Sequence, residues 1–410
     1  MKIKQLFALC ILTILISTQA SAQDNTPAFG VKFKGFVNYE MIYDSRQMVS
    51  ARDGDVLLYP ANVKLDPNGN DINESSSFNA LAITSRLQMA ITGPDAFGAK
   101  TSGMISGDFF GTANDKIGLF RLRQAFVKLK WDKATLLAGK AWHPLFAVEV
   151  FPKVLSFGAA IPFYPLSRAP QLRYTIDGAH FQWLVAISAQ QDFSTAGPDG
   201  RTPSYQMHSG MPEFNSRLMY KGKNLLMGVG AGYWQVVPMQ QTASGYKTDE
   251  AVESYLINSF AKLELSKLTI RGGALYGKNL TNLFMLGGFG VTSISTDASL
   301  EQKYEGIAAS SVWTELETKN KSINVGLFAG YTKNHGTSTE IIGDVYGSGT
   351  TIDNTYRIAP RVTYTSGKVK LGIEGIYQST AYGTRDEFAK VINTEPVDGL
   401  RILSSIVYFF

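Results

Sequence analysis

The sequence ends on Gly399–Phe410, G-L-R-I-L-S-S-I-V-Y-F-F. Successive side chains of a strand point to opposite faces, so Leu400, Ile402, Ser404, Ile406, Tyr408 and Phe410 share one face. That face is apolar and becomes aromatic at its lower end. A strand of about ten residues crosses an outer membrane when it is tilted. The competing reading is the buried edge strand of a soluble β-domain, and the rest of the chain decides between the two.

Met1–Ala22 reads as a signal peptide. Lys2 and Lys4 make the positive start, Leu6–Ile16 the apolar centre, and Ala20-Ser21-Ala22 the small residues before cleavage at Gln23. The apolar run is too short for a spanning helix. Cys10 follows Leu9 rather than a small residue, which argues against a lipoprotein site. It is the only cysteine of the 410 residues, so the mature part, residues 23–410, contains none to form a disulfide. The formal charge of +5 falls by two when Lys2 and Lys4 leave, too little to suggest nucleic acid. After the signal no apolar run reaches about 18 residues, which excludes helical spans. The 19 Tyr, 24 Phe and 39 Gly suit an all-β protein with aromatic girdles.

Alternation over about ten residues followed by a turn recurs about sixteen times between Val31 and Phe410. Val31, Phe33, Val37, Tyr39, Met41 and Tyr43 alternate with Lys32, Lys34, Asn38, Glu40 and Asp44. Two segments have uncertain faces: Tyr304–Glu317 alternates poorly, and Gln124 stands beside the apolar set of Leu119–Trp131. Short turns lie at Asp132-Lys133, Asp177-Gly178, Gly222-Lys223, Leu265-Ser266, Lys319-Asn320 and Ser366-Gly367. Between them lie long polar connections, including Arg46–Ser77, Phe193–Phe214, Asn279–Lys303, Asn334–Asn354 and Gly383–Gly399. Short turns on one rim and long loops on the other predict a single antiparallel transmembrane β-barrel with periplasmic turns and extracellular loops. No second domain or plug is expected.

With the apolar set outward, Arg86, Arg121, Arg123, Arg173, Arg217, Arg271, Arg357, Arg361 and Arg401 point into the lumen. The inward acids are fewer: Glu40, Asp44, Asp108, Asp177, Glu264 and Glu374. Arginine stays charged and offers a donor fork matched to carboxylate or phosphate. Such a lining favours anions over cations. About half of these arginines are expected to pair with wall or loop acids. Residues 145–170 occupy a long-loop position yet are apolar, which predicts burial inside the lumen as a constriction. Glu149, Lys153 and Arg168 would then face the permeant. The other reading packs this segment on a neighbouring subunit or on the rim.

The terminal strand resembles the closing strand of bacterial outer-membrane barrels, which ends in an outward aromatic residue. Four further motifs carry a narrower resemblance: Gly35–Asp44 (G-F-V-N-Y-E-M-I-Y-D), Gly107–Gly111 (G-D-F-F-G), Arg121–Phe126 (R-L-R-Q-A-F) and Gly139–Trp142 (G-K-A-W). Together they resemble the DcaP-type porins and, more distantly, the phosphate-selective porins. The resemblance implies a sixteen-stranded trimeric channel of the outer membrane, set in lipid and passing small anionic solutes such as dicarboxylates. Arg121 and Arg123 match the family's paired arginines. Lys140 stands where the family carries an uncharged residue, and no lysine ladder supports phosphate specificity.

Two other classes compete with a porin. A barrel hydrolase needs serine beside histidine on the outer face, or histidine among acids near the loops. The four histidines, His143, His180, His208 and His335, stand in no such sequence pattern, so no catalytic residue is assigned. An adhesin would use the long loops; Asp53, Asp55, Asp66, Asp71 and Glu74 suggest calcium, but their spacing fits an acidic solvated loop better. A channel for hydrophobic solutes would need a greasy lumen, which the arginines oppose. No metal site or cofactor is expected.

Overall fold

The computed structural model describes residues 29–158 and 160–410. The expected signal peptide, residues 1–22, lies outside them. Sixteen antiparallel strands form one closed barrel. The first half comprises β1 (Gly30–Asp44), β2 (Ser77–Leu81 continued by Arg86–Thr92), β3 (Lys100–Asp108), β4 (Arg121–Lys130), β5 (Ala134–Trp142), β6 (Arg168–Asp177), β7 (Phe181–Ser188) and β8 (Glu213–Lys221). The second half comprises β9 (Leu225–Val236), β10 (Val252–Glu264), β11 (Leu268–Lys278), β12 (Gln302–Thr318), β13 (Ile323–Gly336), β14 (Ile352–Ser366), β15 (Val369–Arg385) and β16 (Val391–Phe409). Each strand read from the sequence is present.

The terminal strand closes the ring as expected. β16 pairs with β1 from Phe36↔Phe409 to Asp44↔Arg401. Closure leaves no unpaired sheet edge in hydrocarbon, which is what a spanning sheet requires. Leu400, Ile402, Ile406 and Tyr408 are exposed on the outer wall, while Arg401, Leu403 and Ser405 are buried inside. On β1, Val37, Tyr39, Met41 and Tyr43 likewise face out, and Asn38, Glu40, Ile42 and Asp44 face in. The outer wall is therefore a belt of apolar and aromatic side chains, the surface an outer membrane solvates.

Above the wall the strands outlast the sequence expectation. Gly383–Gly399 is not a loop: β15 and β16 continue as a hairpin, with Tyr382↔Glu395 and Thr384↔Ile392 paired around a turn at Asp386–Lys390. Both faces of that hairpin lie beyond the lipid, so its residues carry no inside–outside alternation to betray a strand. Within the Asn279–Lys303 and Asn334–Asn354 connections, Gly287–Ile294 pairs with the upper end of β12 and with Val345–Ser348.

Two segments enter the lumen. Residues 143–167, between β5 and β6, are the apolar insertion expected from the sequence. Phe146, Val150, Ile161, Phe163 and Tyr164 are buried against an apolar strip of the inner wall, including Met219, Phe260, Trp313 and Phe328. Each such burial is worth about 1.5–3 kcal/mol. Gly330 on β13 makes room for it: a Cβ there would lie 2.7 Å from the Phe163 ring. The second segment corrects the reading of Arg46–Ser77 as wholly solvated. Met48–Ala51 and Val56–Pro60 form a luminal hairpin, with Val56, Leu57 and Tyr59 buried.

Candidate functional site

Strand alternation brings all nine arginines assigned to the lumen onto the inner wall, with apolar outward neighbours such as Leu122, Leu172, Ile358 and Ile402. They divide by partner. Arg121 Nε donates to Asp108 Oδ1 at 2.7 Å and Arg123 Nη1 to Asp108 Oδ2 at 2.5 Å, so one buried acid serves two cations. Arg401 forks onto both oxygens of Asp44, each at 2.7 Å. Arg271 donates to Glu315 and Glu317 at 2.9 Å, and Arg361 binds the same two acids. Arg217 is only 3.8 Å from Glu149.

The remaining three bind no acid among the described residues. Arg357 donates to Gln378 and to the carbonyls of Leu57 and Leu58, and lies over the Phe163 ring at 5.1 Å. It joins the hairpin to the insertion. Arg173 holds Gln171 and the Trp142 carbonyl. Arg86 lies over Phe36 at 5.0 Å, and its Nε has no partner.

A polar cluster sits where hairpin and insertion approach β3, β4 and the start of β6. Arg168 is 2% exposed, and its Nε and Nη2 have no hydrogen-bond partner among the described residues. Its guanidinium lies 5.2 Å from the Trp142 ring and 4.8 Å from Phe193, an arrangement that holds a cation without neutralising it. Arg52, at the tip of the luminal hairpin, faces one side of Phe110 at 5.6 Å, and Arg121 lies 4.4 Å from the same ring. Lys140 on β5 binds Asp192 in the connection after β7. Arg168 and Phe157 line both a cavity of about 80 Å³ beside Arg52 and a cavity of about 490 Å³ that includes Arg86, Arg123 and Lys153. Within the insertion, Lys153 lies over Phe151 at 4.3 Å, and one Glu149 oxygen has no partner among the described residues.

Sequence reading missed four participants. Arg52 was hidden in a loop taken as solvated. Asp192 lies where the alternation of β7 has ended. Glu315 and Glu317 lie on Tyr304–Glu317, where the alternation is poor. Glu315 is fully buried; besides the two arginines it accepts the Lys153 backbone N–H at 3.0 Å. The Trp313, Glu315, Glu317 spacing of two was the available signal.

The histidines also have partners that the sequence concealed. His143 Nε2 is 3.2 Å from buried Glu213, which also binds Ser188, Gln190 and Asn282. His335 Nε2 is 2.7 Å from Ser310 on the outward side of β12, while Asp353 in its field is engaged by Lys333 at 3.3 Å. In the acidic loop, Asp66 accepts the backbone N–H groups of Asn68 and Asn70, and Asp71 binds Arg46 at 3.0 Å. These acids cap their own loop, and among the described residues no cluster of three metal-ligating side chains occurs.

Neither a protein-family profile nor a curated protein sequence matches the chain. Solved structures do. The outer-membrane channel DcaP of Acinetobacter baumannii superposes with a TM-score of 0.67 at 16% identity, over 93% of this chain and 97% of that one. An anion-selective porin from Comamonas acidovorans gives 0.57 at 11%, over 93% and 100%. The trimer form of OmpT of Vibrio cholerae gives 0.52 at 11%, over 93% and 100%. With its closed sixteen-stranded wall, apolar outer belt and inserted luminal segment, the chain is an outer-membrane β-barrel with the porin fold, of the kind seen in the DcaP channel.

Proposed function

We propose that the chain is a passive porin for small anionic solutes, dicarboxylates among them, and that it works as a homotrimer. The carrying observation is the charge balance at the constriction. Arg121 and Arg123 bind Asp108, Arg52 and Arg168 lie in its field, and nearby Asp192 is already bound to Lys140. Arg168 leaves two donors of a planar fork free, the geometry that receives one carboxylate in two bonds. Low-dielectric walls of Phe110, Phe157 and Phe193 strengthen that field. No bond is made or broken: selection is electrostatic, by what the constriction attracts and what it repels. The likeness to the DcaP channel and to the anion-selective porin supports the reading, and the trimer form of OmpT supports the assembly.

The test is the reversal potential across a planar bilayer under a KCl gradient. The wild-type channel is expected to reverse on the chloride side, and Arg168→Ala to move the reversal toward zero. The Arg121→Ala, Arg123→Ala double variant is expected to move it in the same direction. Cation preference in the wild type overturns the reading, and an unchanged reversal in Arg168→Ala removes that residue's role. Light scattering in detergent reads the subunit number directly.

A further inference from the structure

The luminal hairpin carries a group that permeation does not use. Asp55 follows the turn at its tip and is fully buried, yet neither carboxylate oxygen has a hydrogen-bond partner among the described residues. Glu40, inward on β1, is 3% exposed and leaves its Oε2 unpartnered as well. The charged groups around Asp55 come from each wall it meets: Glu40 on β1, Asp108 on β3, Arg121 on β4 and Arg401 on β16. Glu374 on β15 adds to the field at Glu40. Both cations are already committed. Arg401 forks onto Asp44 and gives its remaining arm to the Gly54 carbonyl at 2.7 Å, while Arg121 holds Asp108. A buried carboxylate without hydrogen bonds, beside a second acid, is costly to keep ionised.

The seat of the hairpin is apolar where Val56, Leu57 and Tyr59 are buried against wall and insertion side chains, and polar at its edges. Gln378 Nε2 donates to the Leu58 carbonyl at 2.7 Å and the Tyr382 hydroxyl to the Pro60 carbonyl at 2.6 Å. Arg357 and Arg401 complete the set on Leu57, Leu58 and Gly54. Water can replace these bonds when the hairpin lifts, whereas the buried Val56, Leu57 and Tyr59 favour the seated form. The chain on the far side, residues 61–76, is largely exposed, so the hairpin can lift without unzipping a barrel strand.

We propose that the luminal hairpin 48–60 is a displaceable gate, seated in the lumen while the Asp55–Glu40 carboxylate pair retains a proton and released when that proton leaves. Burial, with the Glu40 charge added to it, holds Asp55 well above the usual carboxylate range. The sign follows from linkage. The seated form binds protons more tightly than the displaced form. Its advantage is complete below about pH 4 and falls as pH rises, by up to about tenfold in the population ratio per pH unit and per proton, until the seated-state value is passed. The lumen is therefore narrow in acid and wider toward neutral pH.

The inference rests on the channel reading, so the test separates movement from conduction. The full mature protein is labelled with a maleimide at Val56→Cys, a buried hairpin position. The rate is divided by that of exposed Asn68→Cys to cancel thiol ionisation. Normalised labelling is expected to rise about tenfold or more between about pH 5 and about pH 8, and bilayer conductance to rise with it. Asp55→Asn keeps the shape without the charge and should hold the hairpin seated throughout. Glu40→Gln should move the rise to lower pH, by removing the charge that opposes ionisation of Asp55. Flat wild-type labelling overturns the gate, as does an Asp55→Asn variant that keeps the wild-type profile. An unmoved profile in Glu40→Gln overturns the pairing. Labelling that follows pH without any conductance would leave the moving hairpin standing and sink the porin reading alone.

Discussion

The two segments that enter the lumen share an apolar cluster but differ in what else holds them. The 143–167 insertion is bound mainly by apolar surface, with Phe163, Tyr164 and Ile161 pressed into an inner-wall strip. The hairpin at 48–60 buries Val56, Leu57 and Tyr59 and is held in addition through its backbone carbonyls, by Arg357, Gln378, Tyr382 and Arg401. Apolar burial is indifferent to pH, and removing it leaves a cavity. Hydrogen bonds to a segment that can reach water are close to an exchange, worth about 0.5–1.5 kcal/mol each net. A barrel that needs one fixed constriction and one adjustable one can build the first from packing and add polar latches and a titratable group to the second.

The largest effect is expected in the packed segment. Phe163→Ala should cost about 3–5 kcal/mol, read as a lower midpoint in urea unfolding from detergent, without altering the pH profile of hairpin labelling. A changed profile would mean that the two segments move together, through the Arg357 bridge. Next is Glu315→Ala, at about 1–3 kcal/mol for the bonds and burial left unsatisfied, by the same measurement. Arg271 and Arg361 keep Glu317, so a larger loss would show that Glu315 anchors the insertion through the Lys153 N–H.

The hairpin should respond more gently. Tyr382→Phe removes one latch, worth about 1 kcal/mol, and should increase displaced-state labelling about fivefold at fixed pH with little change in the unfolding midpoint. A large drop in the midpoint would make the hairpin part of the permanent core and erase the contrast. Smallest of all is Lys100→Ala. Its pair with Asp95 has side chains 80% and 53% exposed, and no measurable change in midpoint is expected.

Much of the barrel was legible because its rule is local. Lipid outside and polar lumen inside impose a period of two on every crossing, so β1, β9 or β16 can be read without its neighbours. The same rule placed Arg86 and Arg401 on one wall although 315 residues separate them in the numbering. It weakened where its cause was absent. Val391–Asp398 stands above the membrane with both faces outside lipid, and was taken for a loop. On β12, Ala308 and Ala309 are both buried at a register shift, which blurs the alternation that would have marked Glu315. The insertion was visible as a long apolar run in a loop position, whereas the luminal hairpin offers only the short run Val56–Tyr59 within a polar stretch.

By itself, the sequence determined the wall: sixteen crossings, their faces, the closing strand and an apolar segment that had to be buried. Each follows from the chemistry of a few adjacent residues. The tertiary structure alone decided what the inward charges do. Arg401 and Asp44 meet across the barrel seam, Arg357 reaches the carbonyl of Leu57, and Arg168 is left with a free fork. Those partners are hundreds of residues apart or, among the described residues, absent, and a charge becomes latch or brace only when the closed barrel has set its distances.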